Sequence, residues 1–145
     1  LVKQEAYDFL KRGRWIDEEI KSLKAEQQSL REGFLVSPAI EERVQKSNTK
    51  PFDDQYLKIL ELEESIKERV DKLVDFKVEL SQMIKQVDDQ LSQIILSYRY
   101  LSGQTWQEIA DIIHHDVRYT QKLHGKAMQD FKHVYKKDMK RHEKT

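Results

Sequence analysis

The 145-residue chain has no cysteine, so neither a disulfide framework nor a thiolate metal site is available to it, and a cytoplasmic setting is expected. Only four glycines and two prolines interrupt it. That scarcity, with 36% charged residues, suits long helices rather than sheets, and no strand-like alternation persists anywhere. No apolar run approaches the roughly 18 residues of a membrane span and no signal peptide is visible, so no membrane partner is expected. The first residue is Leu1 rather than methionine, which leaves an upstream start open. Net charge is lacking too, with 26 basic residues against 26 acidic ones, but the balance hides a segregation. Residues 53–90 carry 6 Lys and Arg against 11 Asp and Glu, whereas residues 117–145 carry 9 against 3.

What is present centres on residues 105–131. Trp106, Ile109, Ala110 and Ile113 fall at i, i+3, i+4 and i+7, so a short helix starting after Thr105 as N-cap offers one apolar stripe to a core. After a three-residue break at His114-His115-Asp116, Asp116 can cap a second helix whose stripe is Thr120, Leu123, Ala127 and Phe131. Two helices joined so tightly must cross steeply, and the start of the second projects outward. The pattern predicts a helix-turn-helix. Trp106 is assigned to the core, as aromatics at helical spacing usually are.

These residues also carry a resemblance. Leu101-x-Gly103-x-Thr105-Trp106-x-Glu108-Ile109-Ala110, followed by Leu123-His124-Gly125-Lys126-Ala127-Met128, resembles the promoter-reading region four of the primary bacterial sigma factor. It is more similar still to a family of small phage and prophage proteins of Gram-positive bacteria, a domain of unknown function grouped loosely with late-gene transcriptional regulators of the ArpU and RinA kind. Ser37-Pro38 and Glu42-Arg43-Val44-Gln45 match that family upstream, so the resemblance runs from about Ser37 to Phe131. His114 departs from it where a glycine is usual in the turn, and Thr120 where a valine or isoleucine is usually buried. Histidine is among the non-glycine types that tolerate positive φ. The resemblance implies late-gene control in a bacterial host by a phage- or prophage-encoded protein.

Upstream, residues 3–34 are predicted to form one interrupted helix. Ile16, Ile20, Leu23, Gln27, Leu30 and Phe34 follow a 4-3-4-3-4 spacing, a coiled-coil seam with Gln27 as its polar member. Gly13, Leu10 and Phe9 extend the stripe backward; Gly13 marks a kink, a close helix contact, or merely a tolerated glycine. Gly33 and Ser37-Pro38 end the helix. Residues 35–52 are a connector: residues 39–45 form a short helix or extended segment and residues 47–51 a loop. The role of Glu42-Arg43-Val44-Gln45 is open between a partner contact and packing of the connection.

Residues 53–87 are the longest predicted element, roughly 50 Å at about 1.5 Å per residue. Ile59, Leu62, Ile66, Val70, Leu73, Phe76, Leu80, Met83 or Ile84, Val87 and Leu91 recur along it at close to helical spacing. So narrow an element has no interior of its own. We therefore expect an antiparallel hairpin of the two long helices that associates into a homodimer or tetramer, through Ile16, Ile20, Leu23 and Leu30 on the first and Ile59, Leu62, Ile66, Val70, Leu73 and Leu80 on the second. Residues 1–88 would be the oligomerisation region and residues 89–145 the DNA-binding domain. Leu91, Ile94, Ile95, Tyr98 and Leu101 would supply its third wall, with Asp88-Asp89 capping the start of that helix unless the long helix runs on without a break.

The chemistry expected is recognition of double-stranded DNA. Arg118, Lys122, Gly125 and Gln129 share the face of the second motif helix opposite its buried stripe. Val117, Arg118, Gln121 and Lys122 lie in its first two turns, where side chains reach base edges. Thr105, Gly125, Lys126, Lys132, Lys136, Lys137 and Lys140 are assigned to phosphates, which fix register without reading sequence. No enzyme, metal or cofactor is expected. His124, His133 and His142 recur every nine residues and so alternate helix faces, and there is no glycine-rich phosphate loop. Two other readings stand beside the regulator: a small terminase-like subunit that marks DNA for packaging, whose motif usually comes first in the chain, and a module that uses a sigma-like fold to grip host RNA polymerase.

Overall fold

A computed structural model describes residues 2–36 and 50–143, and these are all-helical, with no strand among them. Helices α1 (Val2–Arg14), α2 (Ile16–Val36), α3 (Lys50–Ile84), α4 (Gln90–Leu96), α5 (Trp106–Ile113) and α6 (Val117–Glu143) follow one another, with a π-helical turn at Ser97–Leu101 between α4 and α5. The Ser37-Pro38 pair, residues 39–45 with Glu42-Arg43-Val44-Gln45, and residues 47–49 lie outside the described residues.

The helix expected over residues 3–34 is two helices, because the chain leaves helical conformation at Trp15. Gly13, two residues earlier, is a point of close contact: a β-carbon there would lie 2.1 Å from Leu80 Cδ2 and 3.0 Å from the Tyr100 carbonyl oxygen. The connector is shorter than residues 35–52, since α2 runs to Val36 and α3 already starts at Lys50. Pro51 falls in the first turn of α3, where its missing N–H has no intrahelical partner to lose.

At its other end α3 stops at Ile84, short of Val87. The bonds Gln86 N–H to Met83 O (3.1 Å) and Val87 N–H to Ile84 O (3.0 Å) tighten the last turn, and Val87 stays buried. The long helix does not continue into α4. Asp89 caps α4 by accepting from Ser92 N–H at 2.9 Å, a bond that holds the Asp89 carboxyl below the usual carboxylate range.

The chain divides into two compact units: Leu1–Asp17 with Val74–Thr145, and Glu18–Leu73. The division thus falls within the two long helices rather than at residue 88. In the first unit, Leu10 of α1, Leu80 and Ile84 of α3, Leu96 of α4 and Phe131 of α6 are fully enclosed in one apolar cluster. Ile16 and Leu80, expected at a subunit contact, are buried inside this unit's own chain at 2% and 0% exposure, so neither is available to a partner. From α4 through the π turn the buried set is Ser92, Ile95, Leu96 and Tyr100, whereas Leu91, Ile94, Tyr98 and Leu101 are only half-buried. The π turn accounts for Tyr100 taking the inward place expected of Tyr98. Ser102 N–H bonds to Ser97 O (3.1 Å), an i to i+5 closure that adds a residue to the turn and swings Tyr100 inward. The Ser92 hydroxyl, itself buried, donates to Asp130 Oδ2 at 3.0 Å and ties α4 to α6.

In the second unit ion pairs link α2 to α3. Arg69 donates to Glu19 at 2.8 Å, and twelve residues further along α2 the Arg31 guanidinium grips Glu63 with both ends of its fork. Ile66 and Leu73 are buried here; Ile20, Leu23, Gln27, Leu30, Ile59 and Val70 are half-buried, and Leu62 is 38% exposed. Leu57 and Leu60, which the stripe of residues 59–91 omits, are the more open pair, at 54% and 41%.

Candidate nucleic-acid interface

Local capping chemistry shapes the α5–α6 pair. Thr105 Oγ1 accepts from Glu108 N–H at 3.2 Å while the Glu108 carboxylate accepts from Thr105 N–H at 3.3 Å, a reciprocal box that satisfies two otherwise orphaned donors. Helix α5 then buries Ile109 and Ala110 and ends at His114, which adopts left-handed backbone angles of φ 60° and ψ 43°. His115 N–H closes the end on Ala110 O at 3.0 Å. Two residues later Asp116 Oδ1 accepts from Tyr119 N–H at 2.7 Å and starts α6, as expected. Thr120 is fully buried where an aliphatic residue is usual in the resembled family, and its hydroxyl is satisfied by the Asp116 carbonyl at 2.8 Å.

Behind this turn lies an aromatic brace that sequence reasoning missed. Tyr100 Oη and His124 Nε2 share a hydrogen bond of 2.7 Å, and the Trp106 ring meets His124 edge-on at 4.7 Å. Arg99 lies over the Trp106 ring, 4.3 Å from its centre, and donates to Gln104 O at 3.0 Å. Burial, and after it the Arg99 charge, lowers His124 to a pKa of about 4, so the imidazole is neutral at pH 7. Burial likewise raises Tyr100, which keeps its proton. Trp106 is half-buried in this brace, in keeping with its assignment to packing.

On the outer face of α6, Arg118, Gln121 and Lys122 are exposed and Val117 is half-buried. Asp116, Arg118, Tyr119, Gln121 and Lys122 surround a shallow open depression at the helix start. Among the described residues neither Arg118 nor Lys122 has an ion-pair partner, so both heads are available to a ligand. Continuing along the helix, Arg118, Lys122, Gly125, Gln129, Lys132, Lys136 and Lys140 recur at intervals of three or four and hold one face. A β-carbon at Gly125 would meet nothing within 4 Å, so the glycine is not forced by packing and leaves this face flat.

The residues assigned to phosphates do not form a single cluster. Lys126, Lys136, Lys137 and Lys140 border one depression together with Asp88, Asp89 and Asp130, and Lys126 Nζ stands 3.6 Å from Asp89 Oδ1. Lys132 borders another, with Lys3, Gln4, Tyr7, Gly125 and Gln129. Thr105 is occupied first as a helix cap. Carboxylates therefore dilute the positive field on one flank of α6, whereas at the Arg118–Lys122 end the depression is bordered by the Asp116 cap carboxylate alone.

The same unit gathers one donor set for a cation. Glu79 of α3 and Asp138 and His142 of α6 place a ligand atom each within 4.8 Å of one another, and Asp138 Oδ2 is buried without a hydrogen bond although His142 Nε2 is 3.3 Å away. Asking only whether the histidines converge on each other could not find it, since two of its three members are carboxylates on different helices.

Compact all-helical units, one of them carrying a capped α5–α6 pair and a basic outer face, define the class of protein. The chain belongs to the family described as a protein of unknown function (DUF1492), whose model matches residues 34–130. That span closely follows the one over which the sequence resemblance extends. No curated protein and no solved structure matches. No helix among the described residues is long and apolar enough to cross a membrane.

Proposed function

We propose that this protein is a sequence-specific DNA-binding transcriptional regulator of phage or prophage late genes, which binds promoter or operator DNA as a homo-oligomer. The α5–α6 pair acts as the helix-turn-helix, with α6 as recognition helix. The observation that carries the reading is the start of α6: a capped three-residue turn holds Arg118, Gln121 and Lys122 outward, exposed and without acidic partners, in the first two turns of the helix. Those side-chain types match base edges, arginine and lysine with guanine and glutamine with adenine, at about 1–3 kcal/mol of discrimination per good bidentate pair. The exposed lysines further along the face suit the backbone on either side. Half-buried and exposed leucines on α2 and α3 support self-association through the second unit.

Selection of bound duplexes from a random pool, at several salt concentrations, tests this. The wild-type chain should enrich a repeated half-site that an Arg118→Ala, Lys122→Ala variant fails to enrich. Weak, salt-labile and unselective binding by both would remove the regulator's mechanism. A polymerase-gripping module has one observation in its favour: Ile112 and Tyr119 are 42% and 44% exposed around the turn, with the Tyr119 ring tilted against His115, centres 4.8 Å apart. In that case polymerase, and not promoter DNA, retains the protein on a column.

A further inference from the structure

The two flanks of α6 differ in charge. On one, Lys126, Lys136, Lys137 and Lys140 share their depression with Asp88, Asp89 and Asp130. On the other, an open groove of about 820 Å³ runs between α6 and α1, and no carboxylate borders it. Among its lining residues are Lys3 and Tyr7 of α1 and Gly125, Met128, Gln129 and Lys132 of α6. Lys3, Tyr7 and Lys11 follow one another at i, i+4 and i+8 and so share one stripe of α1, with Lys11 Nζ 4.4 Å from the centre of the Tyr7 ring at the groove's wall. Lys3 and Lys11 are exposed, and among the described residues neither they nor Lys132 form an ion pair. The fold itself builds the groove. Ala6 and Leu10 of α1 are buried in the same cluster as Ala127 and Phe131 of α6, and the Phe9 and Tyr135 rings meet at 5.6 Å. A β-carbon at Gly125 would meet nothing within 4 Å, so the wall there is bare backbone.

Three accessible ammonium groups around one groove, with no local acid competing for them, suit a polyanion laid along it. The groove is also roomy enough for a sugar-phosphate unit rather than a small ion alone. Its place along α6 agrees. Lys122 and Lys132 are ten residues apart, about 15 Å along the helix, close to the roughly 12 Å width of the major groove. With the first turns of α6 at the base edges, the groove stands over a strand at the major groove's border. We propose that the groove between α1 and α6 seats one sugar-phosphate strand of duplex DNA, with Lys3 and Lys11 of α1 and Lys132 of α6 on its phosphates. The inference rests on the DNA-binding reading above and adds α1 to the interface, a helix that lies outside the matched family span of residues 34–130.

The test is duplex affinity as a function of salt for the full chain, for Lys3→Gln with Lys11→Gln, for Lys3→Arg with Lys11→Arg, and for Gly125→Leu. Loss of two phosphate contacts should weaken the glutamine pair on selected and unrelated duplexes alike, roughly thirtyfold at about 0.15 M salt, and flatten the slope of log affinity against log salt by about 1.8. The arginine pair keeps both charges and should restore most of the affinity. Gly125→Leu should melt higher than the wild type, because leucine favours the helix and its β-carbon meets no protein atom, yet bind duplexes more weakly, because the side chain enters the groove. Base preference should persist in all three and vanish in the Arg118→Ala, Lys122→Ala variant. Wild-type affinity and slope in the glutamine pair would overturn the groove's role while leaving base reading intact; no duplex binding by the wild type would overturn both. An equal loss in the arginine pair, or undiminished binding by Gly125→Leu, would likewise overturn the seating of a strand here. If light scattering shows a changed mass for the glutamine pair while duplex binding holds, the groove seats a second copy of the chain and the DNA assignment fails.

Discussion

Gly13 and Leu80 meet so closely that a single added methyl group would overlap, since a β-carbon on Gly13 falls 2.1 Å from Leu80 Cδ2. Leu80 is fully buried and has little room to withdraw, and the Tyr100 carbonyl at 3.0 Å blocks the other direction. Gly13→Ala should therefore destabilise the chain by about 1–3 kcal/mol through overpacking, less the roughly 1 kcal/mol that alanine gains over glycine in a helix. Gly33→Ala is the matched control, because nothing lies within 4 Å of its β-position. There only the helix preference acts, and stability should rise by up to about 1 kcal/mol. Opposite signs for one chemical change, read in parallel urea melts, would establish that contact and not propensity governs Gly13.

His114 occupies left-handed space with a side chain attached. Such a residue carries about 1–2 kcal/mol of backbone strain, of which glycine relieves most while losing roughly 0.5–1 kcal/mol to its freer unfolded chain. His114→Gly should raise stability by about 0.5–1 kcal/mol, and His114→Val should lower it by more than that, β-branching being least compatible with positive φ. Thermal unfolding distinguishes them, at about 2–4 °C per kcal/mol for a chain of this size. A neutral or destabilising His114→Gly would mean that the imidazole contributes to the turn.

The brace at His124 makes stability depend on pH. Its folded pKa of about 4 lies below the ordinary 6.5, so the unfolded chain binds the proton more readily. The contribution is fully present above about pH 6.5 and is lost progressively as pH falls toward 4, amounting to on the order of 2–3 kcal/mol over that window. His124→Gln, which retains a partner for the Tyr100 hydroxyl, should be less stable at pH 7 and should show a flatter decline between pH 6.5 and 4. Parallel slopes for the two proteins would show that another group controls the acid limb.

What could be read from the chain and what could not divides by range. Thr105, His114 and Asp116 act on donors and acceptors within a few residues, so their roles as cap, left-handed turn and second cap were legible from neighbouring sequence. Thr120 was legible too, as a buried position filled by an atypical residue. Gly13 was not resolved because the residue it meets is Leu80, on another helix. Of the wall expected from residues 91–101, Ile95 is buried and Leu101 packs against the core, but periodicity assumes a uniform helix, and the π turn at Ser97–Leu101 breaks that assumption and turns Tyr100 rather than Tyr98 inward, toward His124.

The same limit bears on self-association. A helical stripe marks which residues are apolar on one face, but not whether the chain's own partner helix covers them. Ile16 and Leu80 prove to be covered, and Leu57 and Leu60, off the stripe, are open. If subunits meet on the second unit, these two leucines are the better handles. Each leucine buried in an interface contributes about 1.5–3 kcal/mol. Leu57→Glu with Leu60→Glu should thus weaken self-association by two orders of magnitude or more, and light scattering at a concentration where the wild type is a dimer should report the monomer mass. The helical circular dichroism of the first unit's elements should persist, because neither residue belongs to that unit. Ile16→Glu makes the contrast: it should unfold the first unit rather than merely separate subunits. An unaltered mass for the double leucine variant would place the subunit contact away from this face of α3.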